Sequence, residues 1–148
     1  MDARNPEVVT LLLNLNADAD VKTQQGQDNV ISMTIKAGDL PKLKALLEHN
    51  SNVNIQDANG FTPLMLSAMM VRDAQMHPTA VVAEQLILAG ADVNARDRYN
   101  NTPLIHAVLQ NNAPMVKLLL ENGADQTITN NGQQTAAILA NNRNSQEI

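Results

Sequence analysis

Apolar positions come in short runs of two alternating kinds, separated by small and polar turn residues. One kind reads VVTLLLNLN (8–16), LKALLEHN (43–50), AEQLILAG (83–90) and VKLLLENG (116–123). In the first of these Val8, Leu11, Leu12 and Leu15 follow the i, i+3, i+4, i+7 spacing of a single helix face. Pro6, Pro41 and Pro114 stand just ahead of their runs, where a missing N–H costs nothing. Gly90 and Gly123 follow the last apolar residues as C-terminal caps do, and Asn50 takes that place in the second copy. The other kind opens at Asn29 (NVISMTIKAGDL), Thr62 (TPLMLSAMM), Thr102 (TPLIHAVLQ) and Thr135 (TAAILAN). The pattern predicts pairs of short helices, each pair closed by a turn.

Two sets of landmarks keep step along the chain. Thr102 lies 40 residues after Thr62, Thr135 lies 33 after Thr102, and Asn29 lies 33 before Thr62. Asn52, Asp92 and Asp125 each stand ten residues before Thr62, Thr102 and Thr135, within HNSNVN, AGADVN and NGADQT, and LNADAD (15–20) is an earlier copy. The chain is therefore a tandem array of 33-residue units, one of which carries seven extra residues near 71–77.

The repeated D-x-x-G-x-T-P-L stretch and the L-L-L-x-x-G-A-D-V-N stretch resemble the ankyrin repeat, and the resemblance runs along nearly the whole chain. The tetratricopeptide repeat has a similar period, but it needs aromatic positions of its own and lacks the G-A-D-V-N hairpin. The resemblance implies an all-α solenoid in one domain, 1–148, of stacked helix pairs. First helices would line a concave face, second helices the outer face, and hairpins would project like fingers. The units run roughly 1–23 (partial), 24–56, 57–96 with the insertion, 97–129 and 130–148 (partial), about three full repeats between partial ones. Each pair cannot bury its apolar face alone, so stacking makes the core.

Departures from the pattern are expected to matter locally. Asn29-Val30-Ile31 replaces Thr-Pro-Leu, although the Asn29 side chain can still cap a helix, and the preceding loop, 22–28, is expected to be looser than the others. The 71–77 insertion either lengthens its first helix or forms a protruding loop. The opening second-helix run and the closing first-helix run read either as the ends of a fragment or as frayed caps. Val8, Leu11, Leu12, Ile138 and Leu139 are left without partners on that reading.

Composition narrows the chemistry. Hydrophobic residues make up 44% and aromatic residues 1% of the chain, so the core must be built from aliphatic residues, with Met33, Met65, Met69, Met70, Met76 and Met115 filling gaps. The net charge of −5 and the scattered Lys and Arg argue against nucleic acid and against a polybasic membrane anchor. Zero Cys removes disulfides and thiolate chemistry. No run reaches the roughly 18 apolar residues of a membrane span, and MDARNPEVV has no signal-peptide h-region, though a leader removed earlier would leave no trace. The expectation is a soluble chain whose compartment the absence of Cys does not fix, with the cytoplasm slightly favoured.

No catalytic, cofactor-binding or metal-binding set emerges. His49, His77 and His106 lie at no metal-ligand spacing, and no G-x-x-x-x-G-K loop occurs. His106 is expected to hydrogen-bond near its hairpin. Asn54 and Asn94 are expected to close their turns, since Asn tolerates positive φ.

The resemblance places partner contacts on the two residues after the hairpin Asp, the residue before Thr, and the exposed end of the first helix. Here these are Ala58, Asn59, Phe61, Met69 and Met70, then Arg98, Tyr99, Asn101, Leu109 and Gln110. Less firmly aligned are Gln25, Gly26, Asp28, Lys36 and Ala37, and Asn131, Gly132, Gln134, Asn142 and Arg143. The lone Phe and lone Tyr both fall in this set. They either anchor a partner or pack on the neighbouring hairpin. The functional expectation is a non-catalytic protein–protein interaction module; the alternative is a regulatory or targeting segment of a larger enzyme or channel. End-to-end self-association through exposed apolar ends is a further expectation.

Overall fold

A computed structural model describes residues 29–49, 51–70 and 79–146. These residues form seven helices and no strand: α1 Val30–Ala37, α2 Leu40–Glu48, α3 Pro63–Met69, α4 Thr79–Leu88, α5 Pro103–Leu109, α6 Ala113–Glu121 and α7 Ala136–Gln146. The expected first unit (1–23), the loop at 22–28, the insertion at 71–77 and Asn50 lie outside the described residues.

The helices form two rows. Within each unit α1 packs on α2, α3 on α4, and α5 on α6. Between units the first helices stack α1–α3–α5–α7 and the second helices stack α2–α4–α6. This is the all-α solenoid that the repeat implies. One apolar cluster runs through both rows, from Ile31 and Leu43 through Leu64 and Leu86 to Leu104, Met115 and Leu119. Met65 and Met115 are fully buried as expected, whereas Met33 is 52% exposed and fills no gap among the described residues.

Each first helix begins the same way. Thr62 and Thr102 accept the N–H groups of Met65 and Ile105 on their hydroxyls, both at 3.3 Å, and Thr135 accepts that of Ile138 at 3.3 Å. Asn29 caps α1 as expected, its carbonyl oxygen accepting from Ser32 N–H at 2.9 Å. An amide is a poorer fit than a hydroxyl there. Asn29 is 1% exposed and its Nδ2 has no hydrogen-bond partner among the described residues, nor has Ser32 Oγ.

Within a unit the chain reverses at a left-handed residue, Gly38 (φ 73°) or Asn111 (φ 54°). Asp39 and Asn112 then cap the next helix, accepting from Lys42 N–H at 3.1 Å and Met115 N–H at 3.2 Å. Pro41 and Pro114 sit inside the first turn of α2 and α6 rather than ahead of it, the same tolerance for a missing N–H. Gly90 (φ 97°) and Gly123 (φ 86°) take the left-handed positions expected of them. The helix α7 runs on to Gln146, past the point where α5 has already turned.

The α1 cap generates a stability prediction. Asn29→Thr restores the hydroxyl cap and removes the orphaned buried amide, so it should stabilise the chain by about 1 kcal/mol. A urea midpoint raised with unchanged m-value is the expected result; a lowered midpoint would show that Nδ2 is needed where it is.

Candidate interaction surface

Three hairpins between units share one construction. Asp57 donates its N–H to Phe61 O at 3.1 Å, and its Oδ1 accepts the N–H groups of Asn59 and Phe61 at 2.8 and 2.9 Å. Asp97 does the same with Asn101 O at 3.1 Å, and with the N–H groups of Tyr99 and Asn101 at 2.8 and 2.9 Å. Asn130 repeats it with Gln134 and Gly132. One side-chain oxygen thus folds each fingertip. The position before its last residue is left-handed in all three: Gly60 (φ 81°), Asn100 (φ 59°) and Gln133 (φ 57°). At Gly60 a Cβ would also come within 3.1 Å of Arg98 N, so this hairpin needs glycine for close approach as well as for φ.

Successive fingertips are tied to one another. Arg98 N–H donates to Asn59 O at 3.3 Å, and Asn131 N–H donates to Tyr99 O at 2.9 Å, the same step one unit on. Asn130 Nδ2 donates to Asn101 Oδ1 at 3.2 Å, and Asn100 Nδ2 to Asn131 Oδ1 at 2.7 Å.

A second tie runs at the other turn of the repeat, and it corrects the expectation for Asn54 and Asn94. Neither has positive φ. Asn54 instead reaches the following unit, its Nδ2 donating to Gly90 O at 3.2 Å and its Oδ1 accepting Asp92 N–H at 2.7 Å. Asn94 repeats the clamp on Gly123 O at 3.2 Å and Asp125 N–H at 2.7 Å. Turn closure belongs to the residue two before, Asn52 or Asp92, whose Oδ1 accepts the N–H of Asn54 or Asn94 at 3.0 or 2.9 Å.

The fourth unit has a buried polar pair of its own. Asp97 is 6% exposed and its Oδ2 lies 2.8 Å from His106 Nε2, so His106 does hydrogen-bond near its hairpin. The Phe61 ring meets the His106 ring edge-on, with centroids 5.5 Å apart and planes at 83°. Burial pushes the His106 pKa below the usual imidazole value, more than the hydrogen bond and charge of Asp97 raise it. The neutral ring therefore donates Nε2–H to the Asp97 carboxylate.

The structure divides the residues expected to meet a partner. Tyr99 is 65% exposed, and Arg98, Ala58 and Asn59 are exposed beside it, brought together by the Arg98–Asn59 backbone bond. Phe61 is half-buried against His106, and Asn101 is half-buried with its side chain facing Asp97 Oδ2 at 3.4 Å. Leu109 and Gln110 are exposed at the end of α5; Met69 and Met70 are half-buried at the end of α3, and Met70 packs on the core. A seven-residue helix is about 10 Å long, so these ends lie one helix length from the fingertips. Lys36, Ala37, Asn131, Gly132, Asn142 and Arg143 are exposed and Gln134 is half-buried; Gln25, Gly26 and Asp28 lie outside the described residues. Among the described residues, no three His, Asp or Glu side chains are grouped to hold a metal, and no helix is long and apolar enough to cross a membrane.

Stacked helix pairs, Asx-folded fingertips and inter-unit clamps define a repeat solenoid, and family comparisons agree. A model of three ankyrin repeats matches residues 1–76, a model of multiple ankyrin repeats matches 86–140, and a single-repeat model matches 59–98. The chain belongs to the ankyrin-repeat family. It is 33% identical to a putative palmitoyltransferase of Danio rerio over 90% of its own length and 20% of that protein's. It is 31% identical to an ankyrin repeat protein of Variola virus over 69% of its own length and 18% of that protein's. It is 29% identical to an SH3 and multiple ankyrin repeat domains protein of Homo sapiens over 95% of its length and 7% of that protein's. The chain thus spans a fifth or less of the length of these relatives.

The His106 site generates a pH prediction. A folded-state pKa below the unfolded one means the unfolded chain binds the proton first as pH falls. The stability His106 contributes is complete above about 6.5 and is lost as pH falls through the folded value. Chemical denaturation from pH 7.5 downward should show this loss, and His106→Leu, which copies Leu66 and Leu139 at the equivalent positions, should remove the part that begins near 6.5. An identical slope in the variant would contradict the assignment.

Proposed function

We propose that this chain is a protein-interaction module whose partner sits on the fingertips of the third and fourth units and the adjoining ends of α3 and α5. Ankyrin repeats generally mediate protein–protein interaction. The observation that carries the site is Tyr99: a large amphipathic side chain, 65% exposed, on a fingertip whose backbone is locked by buried Asp97. A rigid base under an exposed aromatic keeps the ordering cost of binding low. Arg98 beside it adds a forked cation, and Tyr and Arg are favoured anchors of binding energy. Ala58, Asn59, Leu109 and Gln110 complete the surface. Phe61, against His106, and Asn101, facing Asp97, support the fingertips from below, and half-buried Met69 and Met70 belong to the α3 end of the surface. Excess negative charge on the chain suits a neutral or basic partner patch.

A second reading has the module serving as a regulatory or targeting segment of a longer protein. It is favoured by the small share of its relatives that the chain spans.

Tyr99→Ala combined with Arg98→Ala tests the site. In capture from lysate of the source cells, a partner held by the natural chain should bind the variant at least about tenfold more weakly, as loss of anchors worth about 2 kcal/mol implies. Thermal unfolding should stay unchanged, because neither side chain is buried. A partner held equally by both chains would move the contact away from the fingertips.

A further inference from the structure

A groove of about 510 Å³ runs between α6 and α7, floored by Val108, Ala113, Val116, Leu120 and Ala140. Its walls are core positions that no described residue covers. Val116 stands where Leu43 and Ala83 stand in the two preceding second helices, 1% and 0% exposed, yet Val116 is half-buried. Val108 is half-buried where Ile35 and Ala68 are 4% and 0% exposed. Ala140 is half-buried where Ser67 and Ala107 are 1% and 0% exposed. In the preceding units the missing cover is a second helix, since α4 packs on both α2 and α3. The groove is therefore half of a repeat interface, shaped for a helix lying beside α6. Its rim carries charges of both signs: Lys117 lies 3.8 Å from Glu121, and Arg143 donates to Leu109 O.

The chain carries a segment with the matching pattern. Aligned on Asn16, Gly90 and Gly123, residues 6–16 place Val8, Val9, Leu12 and Leu13 where α4 has Val82, Ala83, Leu86 and Ile87. The first three of those α4 side chains are buried and Ile87 packs on the core. We propose that the α6–α7 groove is a docking site for residues 6–16 of a second copy of this chain. One copy would supply the first helix, α7, and the other the second helix of a composite repeat. The stacking that joins α2, α4 and α6 within a chain would continue from one chain to the next. The proposal is independent of the fingertip reading, which concerns a different surface.

Such head-to-tail contact is open-ended, and that makes it testable with two single variants of the full chain. In sedimentation velocity the natural chain should show a sedimentation coefficient that rises with concentration. Val116→Lys blocks the groove and Leu12→Asp blocks the segment, so each variant alone should be monomeric. Mixed in equal amounts they should form a one-to-one dimer that grows no further, because one groove and one segment remain intact. A labelled peptide of residues 4–18 gives a readout that survives any misfolding of the Leu12→Asp chain. It should bind the natural chain and the Leu88→Lys control, whose substitution lies on exposed α4 surface, and bind Val116→Lys at least about tenfold more weakly. A natural chain that stays monomeric and does not take up the peptide would overturn the proposal. So would association, or peptide binding, that Val116→Lys leaves unchanged.

Discussion

Apolar contact between neighbouring units is what every other feature of this chain depends on. The helix α3 shows it most plainly. It has only seven residues, too few to be stable alone, yet Pro63 through Ala68 are all buried because α1, α4 and α5 enclose it. Fully burying a leucine is worth about 1.5–3 kcal/mol, and Leu43, Leu46, Leu64, Leu86 and Leu119 are each at most 1% exposed. The exposed Asn54 and Asn94 clamps contribute less, at about 1 kcal/mol for a neutral hydrogen bond. Burial therefore supplies the stability, and the clamps and Asx turns fix the register in which units meet.

That register turns loops into a surface. A hairpin as short as Asp57–Phe61 has little apolar content to hold it. Its shape comes from one carboxylate oxygen and from a backbone bond to the next fingertip. In the fourth unit the carboxylate does more, since its second oxygen holds His106, whose ring in turn supports Phe61 of the preceding hairpin. Tyr99 and Arg98 stand above this buried polar base. Support and contact are thus divided between residues that adjoin in sequence.

Much of this was legible from the sequence, for a physical reason. Repetition prints the same local chemistry several times, so Thr62 and Thr102 could be read as the openings of first helices, Asn29 as a cap, Gly90 and Gly123 as helix ends, and the helix pairs as a stack. What one unit does to the next was harder to read. Asn54 looked like a turn residue because its own turn is visible in sequence, while the Gly90 carbonyl and Asp92 N–H it holds are 36 and 38 residues away. Phe61 shares its alignment position with Asn101, which gave no sign that its ring meets His106. Met33 follows the apolar pattern of its helix and is nonetheless half exposed. For Asn54 and Phe61 the deciding neighbour lies in another unit, and the repeat pattern specifies positions but not the side chains that meet across them.

If nearest-neighbour burial carries the fold, protection of backbone amides must follow the number of neighbours a helix has. Native-state hydrogen exchange measures this directly. The helical amides of α3 and α5, flanked by units on both sides, should exchange slowest, through opening that approaches global unfolding. Those of α7, with neighbours on one side only among the described residues, should exchange faster, through local opening. Equal protection of α7 and α5 in dilute monomeric chain would contradict the account, because it would place stability within single units rather than between them.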